Sequence, residues 1–350
     1  MVTIYDVAGL AGVSPKTVSR VLNRDAPVSA KTRAAVEAAI AQLGYIPSSA
    51  ARIMRSNRSG LVGVITGAIS RSYDRYSGGG LPDMFLVQGI QRTMAEAGKT
   101  VMIADTGNRF GQAEALIRTF LEHRAEGILY VAEFHQEVNM PGLKPDCPLV
   151  LVNCFDRQDT PAVLPDDARG QYGLVKQIIA SGHRRIAYLS LQPQVIASKL
   201  RRAGYRRALE EAGIAYDAAL DLAGYPDYTN RSESLLAAVE KLLRLPDPPT
   251  VLCCGNDEMA VRLYGILRSR GIKVPEEMSV AGYDDHRSIA ETLFPPLTTA
   301  DLPYTAMGER AAQMLLDAVA GKALPPQPVV VGAGTVWRQS VIKPWAGRVG

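Results

Sequence analysis

Lys16 and Arg20 stand four residues apart just after Ser14 and Pro15, with Thr17 and Ser19 between them. Long cationic donors suit the O6 and N7 acceptors of guanine, and short hydroxyls suit phosphates or base edges. That chemistry requires the side chains to project from one short helix. Catalytic chemistry has no comparable support. His123, His135, His183 and His286 are scattered, and neither His-Glu-x-x-His nor Gly-x-Ser-x-Gly occurs. His183 lies in Ser181-Gly-His-Arg-Arg and reads as structural. The run Gly78-Gly79-Gly80 lacks the Gly-Lys-Ser/Thr ending of a phosphate loop. No cofactor or metal motif stands out. Cys147, Cys154, Cys253 and Cys254 form no Cys-x-x-Cys pair, so reduced, buried thiols are expected.

The elements that would carry this chemistry are marked by caps. Thr3 can cap a first helix through Ala11, with Asp6 favourable near its start. Gly12 can end that helix in a left-handed conformation, and Ala8 is small where two helices cross. Ser14 caps the second helix and Pro15 opens it, where a missing N–H costs nothing. Val18 and Leu22 fall on one face, leaving Lys16, Thr17, Ser19 and Arg20 outside. Ser29 caps a third helix whose stripe is Ala35, Val36, Ala39, Ile40 and Leu43, and Gly44 stops it. The pattern predicts a helix-turn-helix with a supporting helix.

Charge agrees with that reading. Residues 1–60 hold eight basic and three acidic residues, a balance of +5, which leaves −1 for the remaining 290 of a chain whose formal charge is +4. A basic head on a neutral body suggests a nucleic-acid contact. At 350 residues the chain exceeds one core, and 47% apolar with 21% charged residues is ordinary globular composition. No apolar run reaches the ~18 residues of a transmembrane helix. The first residues show no basic start followed by an apolar core, so no secretory signal is expected and a cytoplasmic location is.

Residues 2–60 resemble the DNA-binding head of the LacI/GalR family of bacterial transcription regulators. The matching stretches are Thr3-Ile-Tyr-Asp-Val-Ala, Ala11-Gly-Val-Ser, Thr17-Val-Ser-Arg-Val-Leu-Asn, Val28-Ser-Ala-Lys-Thr-Arg, Val36-Glu-Ala-Ala and Leu43-Gly-Tyr-Ile-Pro. The resemblance implies domains at 1–46 (helix-turn-helix), 47–59 (a hinge helix that folds on operator DNA) and 60–343 (effector binding and dimerisation). It implies operator selection by Pro15 and Lys16 and guanine reading by Arg20, although Pro15 replaces a long side chain of other members. Thr3, Tyr5, Ser14, Thr17, Ser19 and Asn23 join them as DNA-facing residues, with Ser29 and Tyr45. In the hinge, Met54 takes the place of the family's wedging leucine, flanked by Arg52 and Arg55 for phosphates or a narrowed minor groove. Paired hinges imply a homodimer on palindromic DNA. Only seven residues follow Lys343, so no tetramer-forming tail is expected.

The body alternates apolar strands and amphipathic helices, which predicts two doubly wound parallel-sheet subdomains. Strands are expected at Leu61–Thr66, Thr100–Ala104, Gly127–Val131, Leu149–Asn153, Arg185–Ser190, Val251–Cys254 and Met278–Gly282, with helices between. The family resemblance continues in Gly182-His-Arg-Arg-Ile-Ala, Arg201-Arg-Ala-Gly-Tyr, Asn256-Asp-Glu-Met-Ala, Val280-Ala-Gly-Tyr-Asp-Asp and Pro295-Pro-Leu-Thr-Thr. It implies a periplasmic-binding-protein-like body, with the chain crossing between subdomains near 155–165, 285–295 and 322–330. Arg201 takes the place of the family's ligand-binding arginine and Asp284 that of its ligand-accepting aspartate. Asn256 offers a donor and an acceptor at a strand end. Asp166 and Asp167 replace the Asp-Asn of many members, and a loop cap or a pocket role is open to both. The loop from Gly67 to Asp83 is longer than in those members and polar, placing Asp83 as an acceptor and Tyr73 and Tyr76 as stacking rings. A small sugar effector in the cleft is the expectation, with a purine as the alternative. A transport binding protein would need a signal peptide and no basic head.

Overall fold

The structure is a computed structural model that describes residues 2–23, 27–46, 59–67, 81–107, 111–140, 146–227, 230–332 and 334–344. Its two units are residues 1–59 and 60–350. The first holds helices α1 (Ile4–Ala11), α2 (Pro15–Asn23) and α3 (Ala30–Leu43). Val7, Ala8, Val18, Val21, Val36 and Ala39 are its buried centre. Two expected core positions differ. Val21 is buried while Leu22 only packs at the edge, and Ala35 is exposed. The third helix covers this small core with Val36 and Ala39, and Ile40 and Leu43 pack at its edge.

In the second unit, six strands form a first sheet: β1 (Leu61–Thr66), β2 (Thr100–Asp105), β3 (Ile128–Glu137), β4 (Leu149–Phe155), β5 (Ala162–Pro165) and β11 (Val329–Val331). Their order is β11-β5-β4-β3-β1-β2, and every pairing is parallel. Helices α4 (Leu81–Glu96) and α11 (Tyr304–Val319) cover one face, and α5 (Gln112–Glu122) covers the other. Successive strand residues alternate between them. Val150 and Val152 join the α4/α11 core, and Leu151 joins the α5 core.

The second sheet holds β6 (Ile186–Ser190), β7 (Asp221–Ala223), β8 (Val251–Cys254), β9 (Ser279–Asp284), β10 (Thr298–Asp301) and β12 (Thr335–Val336). Its order is β12-β10-β9-β8-β6-β7, with only the β10–β12 pair antiparallel. Helices α6 (Asp167–Ala180) and α7 (Ile196–Glu211) cover one face. Helices α8 (Arg231–Leu243) and α9 (Asp257–Ser269) cover the other, and α10 (Arg287–Ala290) is a single turn.

The chain passes between lobes at 165–167, 301–304 and 331–335. Each crossing falls later than 155–165, 285–295 and 322–330, for one reason. A short strand, β5, β10 or β11, is added to the sheet being left before the chain departs. All three crossings leave from the carboxyl ends of strands, where doubly wound folds bind ligands.

Candidate functional site

In the head, local chemistry sets the geometry of α2. Thr3 and Asp6 form a reciprocal capping box, and the hydrogen bonds from the Thr3 side chain and then its backbone hold the Asp6 carboxyl below its ordinary value. Gly12, at φ 65°, makes the turn. The Thr17 N–H donates to Ser14 Oγ at 3.2 Å, which caps α2. Val18 and Val21 then point inward, and Lys16 and Arg20 stand exposed on the outer face. Among the described residues no hydrogen bond or ion pair engages either cation. The hydroxyls of Ser14 and Thr17 lie 3.0 Å apart, and Asn23 Nδ2 donates to the Ser19 carbonyl at 2.6 Å. These polar groups are thus held by contacts within the helix and its cap.

Tyr5 is exposed, and Thr3, Pro15 and Ser29 lie at helix starts. Ser29 Oγ accepts from the Thr32 N–H at 3.2 Å, and Tyr45 packs on the head core. Arg52, Met54 and Arg55 lie outside the described residues, as do Tyr73, Tyr76 and the side chain of Asp83.

In the body, Arg201 and Asp284 come together. Arg201 is 4% exposed on α7, and its Nη1 lies 3.7 Å from Asp284 Oδ1. Nη1 also donates to the Gly255 carbonyl at 2.5 Å, and Nε donates to Asp167 Oδ1 at 2.7 Å. The Tyr283 ring lies under the guanidinium carbon at 3.6 Å. Burial works against the Arg201 charge, but Asp167 above all, then Tyr283 and Asp284, keep the guanidinium firmly protonated. Burial alone would raise the Asp167 carboxyl, yet the charge of Arg201 and the hydrogen bond from His135 hold it below its ordinary value. Burial pushes the Asp284 carboxyl up to about 7, with Arg201 only partly opposing it.

The two adjacent aspartates at the first crossing divide the work. Asp166 caps α6 through the Arg169 N–H at 3.0 Å, and Asp167 faces Arg201. Asn256 Oδ1 accepts from the Met259 N–H at 2.9 Å as the cap of α9, so part of its hydrogen-bonding capacity is structural. Three residues were not legible as site residues. Asp257 is fully buried, accepts from Thr299 Oγ1 at 2.7 Å and His286 N at 2.8 Å, and so anchors the loop after Asp284. The His286 ring meets the Phe85 ring edge-on at 5.7 Å, and neither ring nitrogen has a partner among the described residues. His135 Nδ1 lies 2.9 Å from Asp167 Oδ2. No spacing rule could have found these, because each contact joins residues from separate elements.

His183 is structural. Its Nε2 donates to the Ile342 carbonyl at 2.9 Å, its Nδ1 lies 2.7 Å from Thr250 Oγ1, and burial lowers its proton affinity. All four cysteines are free, and burial raises the thiols of Cys154, Cys253 and Cys254.

A helix-turn-helix unit followed by a two-lobed parallel α/β body, with a buried cluster of charged residues at its strand ends, defines a class, the DNA-binding regulators. Comparison with known proteins gives the family. Residues 3–48 match the model of bacterial regulatory proteins of the lacI family, and residues 175–341 match the periplasmic binding protein-like domain. The HTH-type transcriptional repressor PurR of Vibrio atlanticus is 31% identical over 325 residues, 92% of this chain and 93% of that protein. The ribose operon repressor of Escherichia coli K12 is 32% identical over 320 residues, 90% of this chain and 92% of that one. The solved lac repressor dimer bound to operator and the anti-inducer ONPF matches with a TM-score of 0.76 at 26% identity, covering 97% of this chain and 99% of that one. The chain belongs to the LacI family and is a DNA-binding transcriptional repressor, not an enzyme. No helix among the described residues is long and apolar enough to cross a membrane.

Proposed function

We propose that this repressor acts in the cytoplasm as a homodimer on palindromic operator DNA and is controlled by a small, sugar-like effector held between Arg201 and Asp284. The observation that carries the reading is the pairing of buried Arg201 with half-buried Asp284 at the strand ends of the second lobe. A guanidinium offers fixed donors, and a carboxyl whose affinity for protons is raised to about 7 can accept from or donate to hydroxyls. The ribose operon repressor and a solved regulator in complex with cellobiose, CelR, support a carbohydrate. A purine is the second reading, favoured by the extent of the likeness to PurR.

Effector and operator are coupled by the difference in effector affinity between two states, ~1–3 kcal/mol for a typical regulator. Residues 47–59, which include the hinge of the family pattern, join the two units. The test is thermal melting against neutral sugars, sugar phosphates, polyols and purines at millimolar concentration. A ligand at 100 times its dissociation constant stabilises by ~2.7 kcal/mol, and Arg201→Ala is expected to abolish the shift. A shift that persists in Arg201→Ala places the seat elsewhere.

A further inference from the structure

The contact between His135 and Asp167 joins the two lobes. His135 belongs to β3 of the first sheet, whereas Asp167 opens α6 and Arg201 sits on α7, both packed on the second. The pairing of β3 with β4 is regular through Val131 and resumes only at Gln136. His135 therefore lies in an irregular stretch of β3 where the register shifts, and such irregularities re-aim strand side chains. The Phe155 ring meets its imidazole edge-on at 6.0 Å and steadies the plane. His135 is 6% exposed, Asp167 1% and Arg201 4%.

The carboxylate of Asp167 accepts from both sides, from His135 Nδ1 at 2.9 Å and from Arg201 Nε at 2.7 Å. A carboxylate only accepts, so Nδ1 carries the proton. Arg201 is then held at Nε by Asp167, at Nη1 by the Gly255 carbonyl and on its face by Tyr283. Of these restraints, only the one on Nε leads back to the other lobe.

We infer that His135 is a positioning residue for the effector arginine, acting from the first lobe through Asp167. Resting on the proposed role of Arg201, this makes the aim of the guanidinium and the closeness of the lobes one event. When the lobes part, His135 leaves Asp167, and the carboxylate loses one of its two donors. A buried carboxylate stripped of a donor is costly, so Asp167 and Arg201 shift toward water together.

The experiment needs no effector. Phenylglyoxal labels accessible guanidinium groups, and peptide mass spectrometry of the full-length protein reports Arg201 and Arg338 separately. Arg338 serves as the internal standard because it pairs with Asp285 in the same lobe, away from Asp167. In His135→Leu, labelling of Arg201 relative to Arg338 is expected to rise roughly fivefold, the population change for losing one hydrogen bond. His135→Asn, whose amide can stand where Nδ1 stood, is expected to restore the wild-type ratio. An unchanged ratio in His135→Leu overturns the inference. So does a parallel rise at Arg338, which reports general loosening, or His135→Asn behaving like His135→Leu. The effector seat itself stands or falls separately, on the melting of Arg201→Ala.

Discussion

Arg20 and Asp284, the residues proposed for operator reading and effector binding, lie in opposite surroundings. Arg20 is exposed and free of protein partners among the described residues, so its whole donor fork is available to a guanine edge. Arg20→Ala is expected to weaken operator binding by ~1–3 kcal/mol in an anisotropy titration and to relax base preference at one operator position. Asp284 is enclosed, and its raised proton affinity has a sign in stability. Between its ordinary value near 3.8 and about 7, the folded protein holds a proton that the unfolded chain has released. That contribution is present below 3.8 and is lost as the pH rises to about 7. Asparagine imitates the protonated acid, so Asp284→Asn should lose less melting temperature than the wild type between about pH 5 and pH 7.5. An equal slope in both proteins would assign the proton to another group, with Asp257 the first candidate, since burial and Asp284 raise it too. The family pattern singled out Arg201 and Asp284 in the sequence, and the fold brings them within 3.7 Å of each other. His135 was not legible, because its role depends on an irregular stretch of β3 and on Asp167, 32 residues away across a lobe boundary.

Between α6 and α7, backbone closeness matters more than side-chain chemistry. A Cβ at Gly204 would fall inside the contact distance of the Ala168 carbonyl oxygen and 2.9 Å from the Tyr172 nitrogen. Gly204→Ala must therefore push apart the two helices that bring Asp167 to Arg201. The expected cost is ~1–3 kcal/mol of unfolding free energy in urea, with effector affinity falling as well. The long elements were readable from sequence because each repeats its pattern over several turns or a full apolar run. Caps fixed α1, α2 and α3 closely, since Thr3, Ser14, Ser29, Gly12 and Gly44 act within one turn of themselves. The strands β5, β7, β10, β11 and β12 hold four residues or fewer, too few for a period to emerge. The helix α11 was also missed. Its buried residues, among them Met307, Gly308, Ala311 and Ala312, include small ones that owe their burial to the close approach of α4, which no local pattern encodes.

At the scale of the whole body, the most exposed large apolar side chain among the described residues is Phe294, at 91%. It adjoins Pro295, whose carbonyl accepts from the Tyr264 hydroxyl on α9, and Val261 is exposed one turn earlier on that helix. This surface suits a second copy of the chain, in keeping with the proposed dimer. Phe294→Asp is expected to raise the dimer dissociation constant by about 30-fold or more in sedimentation equilibrium, as for a hot-spot aromatic. An unchanged constant would put the dimer contact on another face.

The three crossings between lobes also set the order in which the protein can be made. The first sheet waits for β11 at Val329–Val331, and its α4 face waits for α11. The second waits for β12 and for the tail, where Ser340 ties the Thr298 N–H to the Val280 carbonyl and the Ile342 carbonyl accepts from His183 Nε2. Both lobes are therefore completed only near the end of the chain, the first at Val331 and the second at Ile342. A chain that stopped before Val329 would lack an edge strand in both sheets, so truncation there is expected to open both lobes rather than spare one.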